Sequence, residues 1–146
     1  MSKSRRAAAV ALAIGLMIPL SAVAQEITVW RSPACGCCHL WAKRLEASGM
    51  SVKMIDADDL AKIKTERGMP SELASCHTAV VAGYAIEGHV PAREVKRLLA
   101  ERPDAIGLAV PGMPAGAPGM DAKSSGPFDV LLVKKDGSTT IYARYP

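Results

Sequence analysis

Three of the four cysteines in this 146-residue chain lie within four consecutive positions, in the segment RSPACGCCHLW at residues 31–41. They are Cys35, Cys37 and Cys38, and His39 follows them directly. The thiolate form of cysteine attacks disulfides and binds soft metal ions. Cysteines this crowded predict sulfur chemistry at one point in space rather than thiols that merely fill a core.

The number of sulfur atoms separates two uses of this cluster. Cys35 and Cys38 have the C-x-x-C spacing of a redox dithiol, in which one sulfur attacks and the other resolves. Cys37 adds a third sulfur, which disulfide exchange does not need but a metal site uses as a ligand. The pattern therefore favours metal binding. A structural disulfide framework is the remaining alternative, although one of its three pairings joins the neighbours Cys37 and Cys38 in a strained bond.

Further candidate ligands lie downstream. Cys76 and His77 are adjacent in the segment SCHT, and Met113 and Met120 occur in PGMPAGAPGM. The methionines are either thioether ligands or packing residues of a loop that folds back on the core. Thiolate and thioether donors select Cu(I), whereas three cysteines and one histidine would equally satisfy Zn(II).

The other two histidines have weaker claims. His39 points away from the helix face that carries Cys38, so we expect it to be exposed to solvent. His89 precedes Pro91 at a predicted helix start. There a capping or surface role is at least as plausible as ligation, because a lone histidine is usually structural or exposed.

The cysteine cluster is predicted to lie between a strand and a helix. The segment EITVW (26–30) alternates as a strand does, and CHLWAKRLEASG (38–49) has helical spacing. The apolar face of this helix is predicted to contain Cys38, Trp41, Ala42 and Leu45. A helix that begins near Cys37 presents free N–H groups and the positive end of its dipole to the sulfurs, which favours thiolates.

The element order β-α-β-α-β-β-α predicts an α/β, thioredoxin-like fold. In that layout the segment before the third strand lies beside the start of the first helix, so Cys76 and His77 are expected near the cluster. The third and fourth strands are predicted to form a hairpin that turns at Ala82-Gly83. A helix is predicted from Pro91, a residue that suits the first helical position.

The C-terminal third differs in composition. Residues 109–127 form a Pro-, Gly- and Met-rich loop, and the segment FDVLLVKKDGSTTIYARY predicts a β-hairpin that turns at Asp136-Gly137. We interpret this part of the chain as an extension that packs on the core, not as a second domain.

Residues 1–24 have the pattern of a secretory signal peptide, with a basic MSKSRR, an apolar AAAVALAIGLMIPL and a small-residue SAVA. The apolar run is shorter than the ~20 residues that span a bilayer, so we expect a cleaved leader and a periplasmic protein. After the leader comes one predicted thioredoxin-like metal-binding domain at 25–146. Its core is predicted at about 25–103 and its extension at about 104–146.

Loss of the leader changes the charge balance. The whole chain has 18 basic and 14 acidic side chains, and removal of Lys3, Arg5 and Arg6 leaves 15 basic against 14 acidic ones. An excess this small gives no electrostatic footprint for nucleic acid. We therefore expect a metal ion as the partner, with no nucleic acid and no membrane partner once the leader is removed.

The segments PACGCCHLW, MPSELASCHTAVVAGYAIEGHVP and GLAVPGMPAGAPGM resemble the CopG-type family of small exported metal-binding proteins, many of which are known only as a domain of unknown function. The resemblance covers essentially the whole chain after the leader. It implies a thioredoxin-like fold with a C-terminal extension, a periplasmic location and copper binding in copper resistance, through cysteine-bridged copper that can cycle between Cu(I) and Cu(II). The implied motif residues are Cys35, Cys37 and Cys38, with Cys76, His77, Met113 and Met120 as supporting positions.

Three functional hypotheses follow. The first is a periplasmic copper-binding protein of copper homeostasis and resistance, which acts with periplasmic copper-handling proteins and to which redox activity toward the metal can be added. The second is a thiol–disulfide oxidoreductase with Cys35 as attacking and Cys38 as resolving thiol. The third is a structural zinc site. Cys37 separates the first two, because a metal site needs it and disulfide exchange does not.

Overall fold

A computed structural model describes residues 25–120 and 126–146; the predicted leader, residues 1–24, lies outside the described residues. Within these described residues, seven strands form one mixed sheet, accompanied by three α-helices. The strands are β1 (Glu26–Arg31), β2 (Ser51–Asp56), β3 (His77–Val81), β4 (Tyr84–Glu87), β5 (Gly107–Ala109), β6 (Phe128–Val133) and β7 (Thr139–Tyr145). The helices are α1 (Gly36–Ala47), α2 (Leu60–Glu66) and α3 (Ala92–Glu101), with a short 3₁₀ turn at Ser71–Leu73.

The sheet topology brings the end of β1 beside the start of β3. The strand order is β2-β1-β3-β4-β5-β6-β7, with β1 parallel to β2 and antiparallel to β3. In this register Arg31, the last residue of β1, lies opposite His77, the first residue of β3. Residues that follow Arg31 and residues that precede His77 therefore meet at one edge of the sheet. This pairing makes Cys76 a neighbour of the cysteine cluster.

Helix α1 is oriented by the apolar face that its spacing predicts, since the buried residues are Cys38, Trp41, Ala42 and Leu45. Complete burial of a large apolar side chain such as Leu45 contributes about 1.5–3 kcal/mol. The indole Nε1 of Trp41 donates to the carbonyl oxygen of Val90 at 2.8 Å, so the polar atom of this buried ring is also satisfied. The face fixes the rotation of α1 and turns Cys38 toward the core.

The predicted strands at the N-terminus, helix α1, the hairpin at Ala82-Gly83 and the C-terminal hairpin are all confirmed. Helix α3 begins one residue later than predicted, at Ala92, with Pro91 as its N-cap. Strand β5 is not predictable from the sequence pattern, because three residues are too short to show alternation. A Cβ on Gly107 would lie 1.7 Å from the carbonyl oxygen of Ala85, so glycine is required where β5 approaches β4.

The C-terminal third continues the same sheet. Strand β5 is parallel to β4 and antiparallel to β6, and β6 pairs antiparallel with β7. The hydroxyl of Tyr145 donates to Oε1 of Glu94 at 2.9 Å, and the hydroxyl of Tyr142 donates to Oε2 of Glu101 at 2.8 Å. Both acceptors belong to α3, so the C-terminal hairpin is tied to the core. Within residues 25–120 and 126–146 there is no helix with the length and apolar character needed to cross a membrane.

Candidate metal centre

A buried arginine holds the loop that leads into α1. The Nη1 atom of Arg31 donates to the carbonyl oxygens of Ser32 and Pro33, each at 2.9 Å, and its Nη2 atom pairs with Asp56 at 2.9 Å. The backbone N–H of Cys35 donates to the carbonyl oxygen of Ser32 at 3.0 Å, and Cys35 is the N-cap of α1. The first of the clustered cysteines therefore lies on a turn that these hydrogen bonds stabilise, at the positive end of the α1 dipole.

Cys35 and Cys38 are joined by a disulfide, while Cys37 and Cys76 are free thiols. The Sγ atom of Cys37 lies 3.5 Å from that of Cys35 and 4.0 Å from that of Cys76. The Sγ atoms of Cys38 and Cys76 are 3.7 Å apart. All four sulfurs lie within 4.8 Å of one another. Reduction of the disulfide would therefore leave four thiols converging on one point.

Two buried histidines adjoin the inner side of this cluster. The Nδ1 atom of His77 lies 3.3 Å from the Sγ atom of Cys76, and the Nε2 atom of His89 lies 3.1 Å from it. The ring of His77 also packs against Trp41, with 4.3 Å between ring centroids. Cys76, His77 and His89 form a second group whose possible ligand atoms are within 4.8 Å of one another. Cys76 belongs to both groups.

The position of His89 bears on the two alternatives that its sequence context left open. His89 is completely buried, and helix α3 is capped by Pro91 without any side-chain hydrogen bond, so the capping or surface role, which the sequence makes at least as plausible as ligation, is wrong. The register of the predicted β3–β4 hairpin indicates the true position of His89. The turn at Ala82-Gly83 pairs Thr78 with Glu87. The same register, continued by two residues away from the turn and past the ends of the two strands, places Cys76 opposite His89.

A backbone carbonyl fixes the tautomer of His89. The Nδ1 atom lies 2.7 Å from the carbonyl oxygen of Pro118, and a carbonyl oxygen only accepts, so Nδ1 carries the hydrogen. In a neutral imidazole this leaves a lone pair on Nε2, the nitrogen that faces Cys76. Metal-binding histidines commonly donate their other N–H to a carbonyl or carboxylate in this way. This arrangement presents the Nε2 lone pair of His89 to the sulfur of Cys76, as ligation by His89 would require.

Burial sets the protonation states around Cys76. Burial and then the nearby Cys37 raise the pKa of the Cys76 thiol to about 11. Burial, followed by His89 and Lys64, lowers the pKa of His77 to about 3, and burial also lowers the pKa of His89. Both imidazoles are therefore neutral near pH 7, which is the form that binds metals. A metal that binds Cys76 must displace its proton.

A buried polar network lies behind Cys76. Glu87 is completely buried and receives hydrogen bonds from Lys64 (2.5 Å), from the Thr78 hydroxyl (2.6 Å) and from the backbone N–H of Ser75 (2.6 Å). The Ser75 hydroxyl in turn donates to the carbonyl oxygen of Gly112. The network fixes the backbone just before Cys76 and connects it to the Pro- and Gly-rich loop. The sequence pattern does not reveal this network, because isolated Lys and Glu residues usually indicate a solvated face.

The remaining candidates lie further out. His39 is exposed, as predicted. Met113 is 51% exposed, and Met120 is half-buried against the apolar core. The loop approaches α1 closely, since a Cβ on Gly119 would lie 2.5 Å from the backbone nitrogen of Trp41. Ligation by Met113 and Met120 stays a prediction.

The donor set suits a soft or borderline cation. Two free thiols and two neutral imidazoles are available, and Cys35 and Cys38 bring the sulfur donors to four once their disulfide is reduced. Thiolates select Cu(I), and they also bind Zn(II) in tetrahedral sites. Hard cations such as Mg²⁺ and Ca²⁺ prefer oxygen ligands, which the two groups do not supply.

Comparisons with known proteins identify close structural relatives. A family model described as a protein of unknown function, DUF411, matches residues 73–120. A solved structure called "Copper resistance protein copG- Form 2" shares 41% sequence identity with the chain, covers 84% of this chain and 98% of its own, and superposes with a TM-score of 0.79. Form 1 of the same protein gives 41% identity, 83% and 97% coverage and a TM-score of 0.79. The search of curated proteins found no match.

Proposed function

Because this chain belongs to the family of the CopG copper resistance protein, we propose that it is a periplasmic copper-binding protein that acts in copper homeostasis and resistance. The observation that carries the proposal is the convergence of four cysteine sulfurs within 4.8 Å at the start of α1. Copper is preferred to zinc because the cluster is rich in sulfur and because the related structures are named for copper resistance.

We assign the ligand roles by position. Cys35, Cys37, Cys38 and Cys76 supply thiolates that bridge or bind copper. His77 and His89 supply neutral imidazole nitrogens on the buried side of Cys76. Met113 and Met120 supply weaker thioether donors from the loop; the exposure of Met113 suits a ligand that first meets the ion from solvent.

The N-terminal sequence pattern supports the proposed periplasmic location, and the strand order of the sheet supports the proposed fold. Residues 1–24 are proposed to direct export and to be removed, leaving one domain at 25–146. Strands β1 to β4 with helices α1 to α3 have the order and pairing of a thioredoxin-like core, which supports that assignment for about 25–103. Periplasmic proteins that deliver or remove copper are the proposed partners.

A second candidate function is supported by the disulfide. Cys35 is half-buried and Cys38 is completely buried, the arrangement expected of an attacking and a resolving thiol. Oxidation of these two thiols to the disulfide releases two protons and two electrons, which is the number that reduces two Cu(II) ions to two Cu(I) ions. The pair thus supports thiol–disulfide oxidoreduction and, with copper as electron acceptor, redox activity toward the metal.

Anaerobic titration of the reduced protein with Cu(I), in competition with a coloured chelator, tests the proposal. We expect tight binding of more than one equivalent, and loss of that binding when Cys35, Cys37 and Cys38 are all changed to Ser. Undiminished affinity in the triple variant would rule the proposal out. Cys37→Ser separates the two functions: it should weaken copper binding but leave insulin reduction by the metal-free protein unchanged.

A further inference from the structure

Each sulfur of the Cys35–Cys38 disulfide has a free thiol beside it. The Sγ atom of Cys37 lies 3.5 Å from that of Cys35, and the Sγ atom of Cys76 lies 3.7 Å from that of Cys38. In thiol–disulfide exchange a thiolate attacks one sulfur of a disulfide and the other sulfur leaves. Sulfurs that all lie within 4.8 Å of one another are not in line, so the attacking side chain must first turn into line with the S–S bond. Two internal exchanges are then possible, and the surroundings of the four sulfurs decide between them.

A base beside its sulfur and a better-placed leaving group favour Cys76 as the attacking thiol, although burial raises the pKa of that thiol to about 11. The Nε2 atom of His89, which carries no hydrogen, lies 3.1 Å from its sulfur and can accept the thiol proton. Attack on Cys38 expels Cys35, whose position at the N-cap of α1 stabilises the departing thiolate. Attack by Cys37 on Cys35 would instead expel Cys38, which is completely buried and where a thiolate is disfavoured.

We propose that the oxidised protein moves its disulfide inward, from Cys35–Cys38 to Cys38–Cys76. In this step the Sγ–Sγ bond between Cys76 and Cys38 forms and the bond between Cys38 and Cys35 breaks. The proton leaves the Cys76 thiol and ends on the Cys35 thiol. One disulfide is exchanged for another, so the step requires no external oxidant or reductant.

The exchange places a dithiol on the outer side of the cluster. Cys35 and Cys37, both half-buried and with sulfurs 3.5 Å apart, become free together, while the disulfide is held beneath them. A C-x-C dithiol can bind a soft cation even while the protein remains oxidised. The exchange itself needs no copper; only this use of the outer dithiol rests on the proposed function.

Peptide mapping of the oxidised, metal-free protein tests the exchange. The protein is incubated with chelator near pH 7, isolated as monomer, quenched in acid, unfolded and labelled with a maleimide at acidic pH. Trypsin then cuts after Arg31, Lys43, Arg67 and Arg93, which separates the clustered cysteines (peptide 32–43) from Cys76 (peptide 68–93). A Cys35–Cys38 disulfide stays within one peptide, whereas Cys38–Cys76 links two peptides.

The variant Cys37→Ser leaves a single free thiol and gives the simplest result. We expect linked peptides with the maleimide on Cys35, alongside the unlinked form with the maleimide on Cys76. Maleimide on Cys76 alone, with no linked peptides at any incubation time, would overturn the proposal. Cys76→Ser is the matched control and should give no linked peptides from isolated monomer.

If Cys37→Ser fails to fold, the same peptide mapping of the wild-type protein tests the exchange instead. Tandem mass spectrometry of its linked peptides should identify Cys38 as the partner of Cys76. A wild-type map dominated by Cys35–Cys37 would show that Cys37 is the attacking thiol and would contradict the proposal. Because no copper is present, these results do not depend on whether the copper function is correct.

Discussion

The Nε2 atom of His89 lies 3.1 Å from the Sγ atom of Cys76, although these residues belong to opposite sides of the β3–β4 hairpin. The contact joins the cysteine cluster to a buried pair of imidazoles. It extends the site from the exposed start of α1 into the core. We therefore expect residues behind the cluster, as well as the cysteines themselves, to control metal binding.

His89→Gln should lower the affinity for Cu(I) by at least about 10–100-fold, because loss of even a residue that only orients a metal ligand costs that much. The physical reason is the loss of the nitrogen that faces Cys76. Competition with a chromophoric chelator measures the change. His39→Gln is the matched control, because His39 is exposed, and it should leave the affinity unchanged. Equal affinity in His89→Gln and His39→Gln would exclude His89 from the site.

Gly119→Ala should displace the Pro- and Gly-rich loop from α1. The backbone of Gly119 has a φ of +86°, and a Cβ added there would lie 2.5 Å from the backbone nitrogen of Trp41. Gly112→Ala is the control, since its φ is +66° but its Cβ would meet nothing within 4 Å. Gly112→Ala should therefore cost about 1–3 kcal/mol from backbone strain alone.

Chemical denaturation of the metal-free proteins compares the two glycine variants. We expect a clearly larger loss of stability for Gly119→Ala than for Gly112→Ala, together with weaker Cu(I) binding, because Pro118 would no longer orient His89. Similar stabilities and affinities for the two variants would show that the contact between loop and helix is not needed.

Lys64→Met should destabilise the protein by about 3–5 kcal/mol, because it leaves the buried Glu87 carboxylate without its cation. Adding Glu87→Gln to this variant should recover part of the loss. Lys62→Met breaks an exposed pair with Glu66 at 3.9 Å and should cost less than about 1 kcal/mol. Urea denaturation of the wild type and these three variants provides the values. A loss for Lys64→Met no larger than that for Lys62→Met would refute the structural role of this ion pair.

The C-terminal hairpin should detach more easily at high pH. Burial, and then the hydrogen bond to Glu94, raise the pKa of Tyr145 to about 12, above the usual 10. The folded state favours the neutral phenol, so this contribution to stability is complete below pH 10 and is lost as the pH rises through about 12. Tyr145→Phe should flatten the decline in stability between about pH 10 and 12. An unchanged decline in the variant would show that Tyr145 does not link the hairpin to α3.

The spacing of residues along the sequence predicted the part of the site that lies at the start of helix α1. The spacing of Cys38, Trp41 and Leu45 defines one helix face, and burial of that face is confirmed. The position of Cys76 also follows from strand order, because residues before β3 must lie beside the residues after β1. In both cases a single periodicity or a single strand pairing determines the geometry.

The other half of the site depends on contacts that no single element specifies. His89 reaches Cys76 through the hairpin register, and its tautomer depends on Pro118 in a distant loop. Glu87 and Lys64 are charged residues whose burial is stable only because each satisfies the other. Such partners are visible only after the chain has folded around them.

X-ray absorption at the copper edge, on reduced protein loaded anaerobically with Cu(I), shows whether the clustered cysteines bind the metal. We expect a first coordination shell made mainly of sulfur, which disappears when Cys35, Cys37 and Cys38 are replaced by Ser. A first shell of nitrogen and oxygen alone in the wild-type protein, or a sulfur shell that survives in the triple variant, would mean that these cysteines do not hold the copper.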